Sequence, residues 1–296
     1  MTEPQTSSAG GRQRQRAMVG IALVVVLVAA YVFAAVSFGR SIQGEFVPSD
    51  PPPGGAAVVL VPAQIHAESR SISGSLLVFP DESLVDWEGN LTEDLVVTLT
   101  PFVPDGILTL PAGQVPAPVS VTIPAAGVVQ QYPFDSYAVQ ESVAVTSDAN
   151  GAAGEVAAPL PITSSVHFQV PGWSYTEETA GPTVIRGSVQ RAGSTKAIAI
   201  LLLALMVGLA VIAVSAVNSA TRGRMKLELP LASWLTVMLF ALIPIRSFFP
   251  GGPPLGSWMD ILVYFWVEMV VMVCVGLVSW AIIVRARDTA DASGRT

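Results

Sequence analysis

The chain has 296 residues, of which 51% are hydrophobic and 12% charged, with a net charge of -7. Its mean hydropathy of +0.58 excludes an ordinary soluble enzyme and a disordered scaffold. The acidic balance argues against nucleic acid, whose phosphates call for clustered basic residues.

A helix needs about 20 apolar residues to cross a bilayer, because hydrocarbon offers its backbone no hydrogen-bond partner. Four segments meet that length: 17–38, 197–217, 229–249 and 261–284. Residues 1–16 form an N-terminal tail in which Arg12, Arg14 and Arg16 precede the first span. A cleaved signal peptide would also begin this way, but the apolar run exceeds the usual signal core and favours an uncleaved anchor.

Residues 40–195 form an insert with 4 basic and 16 acidic side chains. It carries short runs rich in Val, Ile and Thr between turn residues: 58–65, 72–79, 95–103, 119–123, 128–132, 137–145, 166–170 and 183–190. Eight such runs and no amphipathic helix of ordinary length predict a β-sandwich of two antiparallel sheets. The single cysteine, Cys274, falls in the last span, so the sandwich depends on packing without a disulfide. Trp87, Trp173, Phe79, Phe102, Phe134 and Phe168 are the expected core or inter-sheet aromatics.

In the second half, Pro230 suits the first turn of the span 229–249, and Pro244 is expected to kink or end it. Short loops rich in Lys and Arg stay in the cytoplasm. Arg222, Arg224 and Lys226 therefore place the loop between the second and third spans inside, and Arg285 with Arg287 does the same for the tail 285–296. The expected product is a multi-pass plasma-membrane protein with both termini cytoplasmic and the insert outside. Many Arg, two Lys and abundant Ala, Val, Gly and Pro suit a high-GC bacterium.

Little of the sequence points to catalysis. His66 and His167 lie far apart without metal-ligand spacing and read as strand positions. Nucleophile-elbow, phosphate-loop and dinucleotide motifs are missing, and the acidic pairs Asp81-Glu82 and Glu93-Asp94 flank predicted strands. The expectation is a protein that is not an enzyme and takes no cofactor or metal. Its expected partners are the lipid bilayer and an envelope protein or a second copy of itself, with no nucleic acid.

Three features rise above this background. Tyr132, Pro133, Phe134, Asp135 and Tyr137 form a candidate docking loop, in which proline restricts the backbone and aspartate caps the turn. The bland alternative is an interstrand turn with Phe134 tucked into the core. The stretch from Pro244 to Asp260 reads as a rigid interfacial hairpin, with Phe248, Phe249 and Trp258 at the headgroup level. Glu268 falls roughly 11 Å below Asp260 along the last helix, so it must be protonated, paired or facing a polar cavity. Arg246 is its expected partner, and Arg246, Asp260 and Glu268 form a candidate polar cluster serving either helix packing or a proton or ligand site.

Over about residues 55–284, these motifs and the run Tyr264-Phe265-Trp266 resemble the domain of unknown function 4436 family of actinobacterial and fungal membrane proteins. That resemblance implies the architecture without a mechanism. A weaker one, carried by Tyr132 to Tyr137, is to pentameric ligand-gated channels, whose sandwich docks through a similar loop. Here one span precedes the sandwich and three follow, and no polar pore-lining helix is evident. What this likeness implies is a pairing of Asp135 with Arg186, Arg191 or Arg246.

Overall fold

A computed structural model describes residues 49–100, 106–148, 159–225 and 228–293, with six helical positions between 28 and 36. The expected first span, 17–38, otherwise lies outside the described residues, as does Phe102. The chain divides into two compact units, one holding the insert and the other the C-terminal helices.

Among the described residues, ten strands build the first unit: β1 (Ala56–His66), β2 (Ser71–Pro80), β3 (Asp94–Thr100), β4 (Ile107–Leu110), β5 (Val119–Pro124), β6 (Ala126–Gly127), β7 (Ser136–Asp148), β8 (Ile162–Val166), β9 (Trp173–Glu177) and β10 (Val184–Arg191). They form a four-stranded sheet in the order β5-β2-β1-β8 and a second sheet in the order β4-β3-β7-β10-β9, with β6 paired to β7. The expected purely antiparallel pairing is corrected at one seam, since β1 and β8 run parallel. Period-two burial puts one face of each sheet inward. Along β10, for example, Ile185, Gly187, Val189 and Arg191 are buried and alternate with half-buried residues. The core draws Val58, Leu60 and Leu76 from the first sheet and Leu95, Val97, Val143 and Val189 from the second. Each fully buried Val or Leu is worth about 1.5–3 kcal/mol of transfer free energy.

Residues 56–60 of β1 are buried without interruption, in keeping with a strand paired on both edges. The register of β1 on β2 slips between Pro62 and Gln64, where proline has no N–H to donate. Gly74 lies opposite Pro62, and a Cβ there would fall 2.4 Å from the Val61 carbonyl oxygen. Only glycine fits that approach.

Two strand expectations are corrected: residues 129–131 form a 3₁₀ turn, and the run expected at 166–170 lies earlier as β8, while β4, β6 and β9 are additional. Trp87 also departs from its expected core place, being 91% exposed beside the turn that Asp86 caps through the backbone N–H groups of Glu88 and Asn90.

Among the described residues, the second unit holds three long apolar helices. They are α1 (Gly193–Thr221), α2 (Leu229–Ser247) and α3 (Phe265–Ser293), the last preceded by a π-helical turn, Asp260–Tyr264. All three are long and apolar enough to cross a membrane. At 1.5 Å per residue the shortest, α2, spans about 28 Å, close to a hydrocarbon core. Small and medium side chains at helical spacing form the buried seams: Ala199, Met206, Ala210 and Ala213 on α1, Leu235 and Leu242 on α2, and Val271, Cys274 and Val278 on α3. The outward faces stay apolar, as at Val211, Phe240 and Trp280. Hydroxyls in the helices donate back to their own backbone, Ser215 to Val211 and Thr236 to Ala232, so they need no partner outside the helix. Pro230 occupies the first turn of α2, and Pro244 lies three residues before its end.

Candidate functional site

The docking loop is built by the turn Val129–Gln131 and the start of β7. The Tyr132-Pro133 peptide bond is cis, and the Phe134 N–H donates to the Gln131 carbonyl at 2.8 Å. Antiparallel register sets Tyr137 against Val189 and Ser136 against Gln190, which brings Asp135 opposite Arg191. Arg191 is also paired with Trp173 of β9. Strand parity thus selects among the three arginines considered, because Arg186 opposes Gln140 on the outer face.

Asp135 is 0% exposed and accepts from Arg191 Nε through both carboxylate oxygens, at 3.2 Å each. The Tyr137 hydroxyl donates to Asp135 Oδ2 at 3.0 Å. The guanidinium lies over the Trp173 ring at 4.0 Å and the Tyr132 ring at 5.1 Å, while Tyr137 meets Trp173 edge to face. Burial, reinforced by the Asp135 charge, pushes the Tyr137 hydroxyl above its ordinary range, so it remains a donor. Gly127 admits the Tyr137 ring, since a Cβ there would come within 2.4 Å of Cδ1. Phe134 is 64% exposed, contrary to the alternative that tucks it into the core. The loop is therefore a rigid mount, buried at Tyr132, Pro133, Asp135 and Tyr137, that presents one aromatic ring.

The second cluster lies between α2 and α3. Arg246 grips Asp260 through two bonds, Nε to Oδ1 at 3.1 Å and Nη2 to Oδ2 at 2.9 Å. Its Nη2 also donates to the carbonyls of Pro253 and Pro254. Asp260, 0% exposed, further accepts from the Gly256 N–H and the Ser257 hydroxyl. Phe248 and Trp258 are exposed as interfacial aromatics would be, whereas Phe249 is buried, which corrects its expected place.

The expected Arg246–Glu268 pair does not form. Arg246 is committed to Asp260 at the head of the π turn, and half-buried Glu268 lies on α3 four residues after Tyr264. Asp260 is closer to Arg246 by about two helical turns.

The acidic pairs have local structural partners. Asp81 accepts from the Gly54 N–H at 2.9 Å and the Ser83 hydroxyl at 2.7 Å, which pull its carboxyl below the usual range. Glu93 accepts from the Ser147 hydroxyl, and Asp94 from the Ala112 N–H at 2.7 Å. Among the described residues no three His, Cys, Asp or Glu side chains converge as metal ligands. His66 ends β1, and His167 follows β8 with its backbone N–H on the Leu60 carbonyl.

One residue escaped sequence reasoning altogether. Glu141 lies on β7 at an inward position between Val139 and Val143, and is buried. The alternation Tyr137, Val139, Glu141, Val143, Val145 held the signal, since a charged residue occupies a core slot of period two.

Residues 46–191 match the domain of unknown function DUF4436, and residues 191–285 match a second domain of unknown function, DUF8686. The expected DUF4436 resemblance is thus borne out over 46–191, while the part of the expected 55–284 that follows Arg191, the last residue of β10, matches the second family instead. The hairpin 246–260 and the run into Glu268 belong to the DUF8686 match. No curated protein matches the chain.

Proposed function

We propose that this chain, a member of the DUF4436 family through residues 46–191, is a multi-pass protein of the plasma membrane that holds its β domain outside as a binding or accessory module and performs no catalysis. The observation that carries this reading is the rigid mount of Phe134. A buried salt bridge, two flanking rings and a tyrosine hydrogen bond are spent on keeping one aromatic residue exposed. Exposed aromatics on pre-organised loops serve recognition because little side-chain freedom is lost on contact. The partner class that fits an extracytoplasmic module is an envelope protein or another copy of the chain, with the bilayer holding the helices.

The three helices, long and apolar enough to span, support the membrane reading, and Arg222 and Arg224 between α1 and α2 support a cytoplasmic loop. A transporter or proton-linked sensor using Glu268 with Arg246 is disfavoured, because the Arg246 donors engage Asp260 and two proline carbonyls.

Topology is tested by single cysteines placed at exposed positions in a Cys274→Ala background. Thr122→Cys on β5 is expected to react with a membrane-impermeant maleimide on intact cells. Thr221→Cys at the end of α1 is expected to react only after permeabilisation. The opposite pattern would place the domain inside and overturn the proposal.

A further inference from the structure

Among the inward positions of β7, Tyr137 carries a hydroxyl that Asp135 satisfies, while the carboxyl group of Glu141 finds no such partner among the described residues. Glu141 is 1% exposed, and neither of its oxygens has a hydrogen-bond partner among the described residues. Directly across the sheet is Ile185. On β8 of the facing sheet, the half-buried Ser164 also has an unpartnered hydroxyl oxygen. The chain ties these strands together locally, since the Ser164 N–H donates to the Pro182 carbonyl and the Val143 N–H to the Thr183 carbonyl, at 2.8 and 2.7 Å. A small apolar cavity lined by Val139, Ile185 and Val166 borders the same inward positions. Apolar walls give a water there no hydrogen bonds.

An ionised carboxylate in this setting is strongly disfavoured, because only water or an opposite charge repays its burial. The inward positions of β1, β3 and β8 carry no titratable side chain. On β10 the first one reached is Arg191, which Asp135 already holds. On β7 it is Tyr137, and on β9 the groups are Tyr175, whose hydroxyl donates to the Arg186 carbonyl, and the exposed Glu177. Arg186 itself sits on the outer face.

We infer that Glu141 is a proton-operated switch in the core of the β domain: as a neutral acid it lets the two sheets stay closed, and as a carboxylate it draws water between them and loosens β7 and β10. The inference is independent of what the domain binds. Burial alone pushes the Glu141 carboxyl up to about 7. The sign follows directly. An acid whose folded pKa exceeds its unfolded one binds its proton more tightly when folded, so its contribution is complete below the unfolded pKa. That contribution is lost as pH rises through the folded one.

Amide exchange across β7 and β10 in the full chain, reconstituted in nanodiscs, reads the switch when wild type and Glu141→Gln are compared at each pH. The ratio of wild-type to variant protection is expected to fall by up to about tenfold per pH unit between about pH 5 and 7, then to level off. A ratio that does not change with pH overturns the proposal. Glu141→Leu removes both unpartnered oxygens and is expected to abolish the pH dependence as well. An infrared measurement on the wild-type core stands independently of how the variants fold. In a Glu268→Gln background, a protonated-carboxyl band is expected at about pH 6 and lost by about pH 8. Its absence at the lower pH overturns the proposal.

Discussion

Two buried arginine–aspartate pairs, one in each unit, solve the same electrostatic problem by different means. In both, the aspartate is fully buried, while the side chain of Arg191 is 3% exposed and that of Arg246 13%. Asp135–Arg191 is assembled by strands far apart in sequence, and aromatic rings cover the guanidinium. Asp260–Arg246 closes a short hairpin, and its remaining satisfaction comes mostly from backbone, namely two proline carbonyls and the Gly256 N–H, with the Ser257 hydroxyl as the one added side chain. A sheet can supply side chains at a fixed register but has already used its backbone groups on the ladder. A Pro- and Gly-rich loop has backbone to spare. Each pair is thus completed by whatever its surroundings leave unoccupied.

The contrast can be broken from either side. Asp135→Ala leaves Arg191 charged and buried, and is expected to destabilise the β domain by about 3–5 kcal/mol, read as a lowered midpoint for Trp173 fluorescence on thermal unfolding. A double-mutant cycle with Arg191→Met is expected to show strong coupling, and additive effects would refute the pairing. In the other unit, Arg246→Ala should release the hairpin rather than unfold the helices. The expected readout is faster amide exchange at Gly256 and Ser257. Glu268→Gln should not couple to it in a cycle, whereas coupling would restore the Arg246–Glu268 pair. The smallest effect belongs to Phe134→Ser, which is expected to change stability by less than about 0.5 kcal/mol while weakening whatever the domain captures. A large stability loss there would show that the ring packs.

Much of the β domain could be read along the chain. β1, β2, β3, β5, β7 and β10 announce themselves as β-branched runs bounded by turn residues. β9 was not legible because Trp173–Glu177 is largely polar, and β4 because four residues scarcely rise above a loop. The run 128–132 looked like a strand by composition, but its residues close the turn that leads to the cis peptide bond, and Ala126–Gly127 pair with β7 in their place. Aromatic size misled at Trp87, which stands out from a turn, and at Phe249, where the neighbour Phe248 takes the exposed place. At the candidate sites, Asp135, Arg191, Arg246 and Asp260 were all visible as scarce charges, but one of the expected pairings was wrong and another was left open among three arginines.

What the sequence determined by itself are the properties that add up residue by residue. The cost of placing a segment in hydrocarbon is nearly a sum over its side chains, so the three C-terminal helices long and apolar enough to span, and the acidic stretch before them, follow from order and composition alone. Pairing does not add up in this way. Whether Asp135 meets Arg186 or Arg191 depends on strand parity and register, and whether Glu141 faces water or the core depends on which side of β7 the facing sheet closes. One residue of slip would reverse both, so only the tertiary structure could decide them.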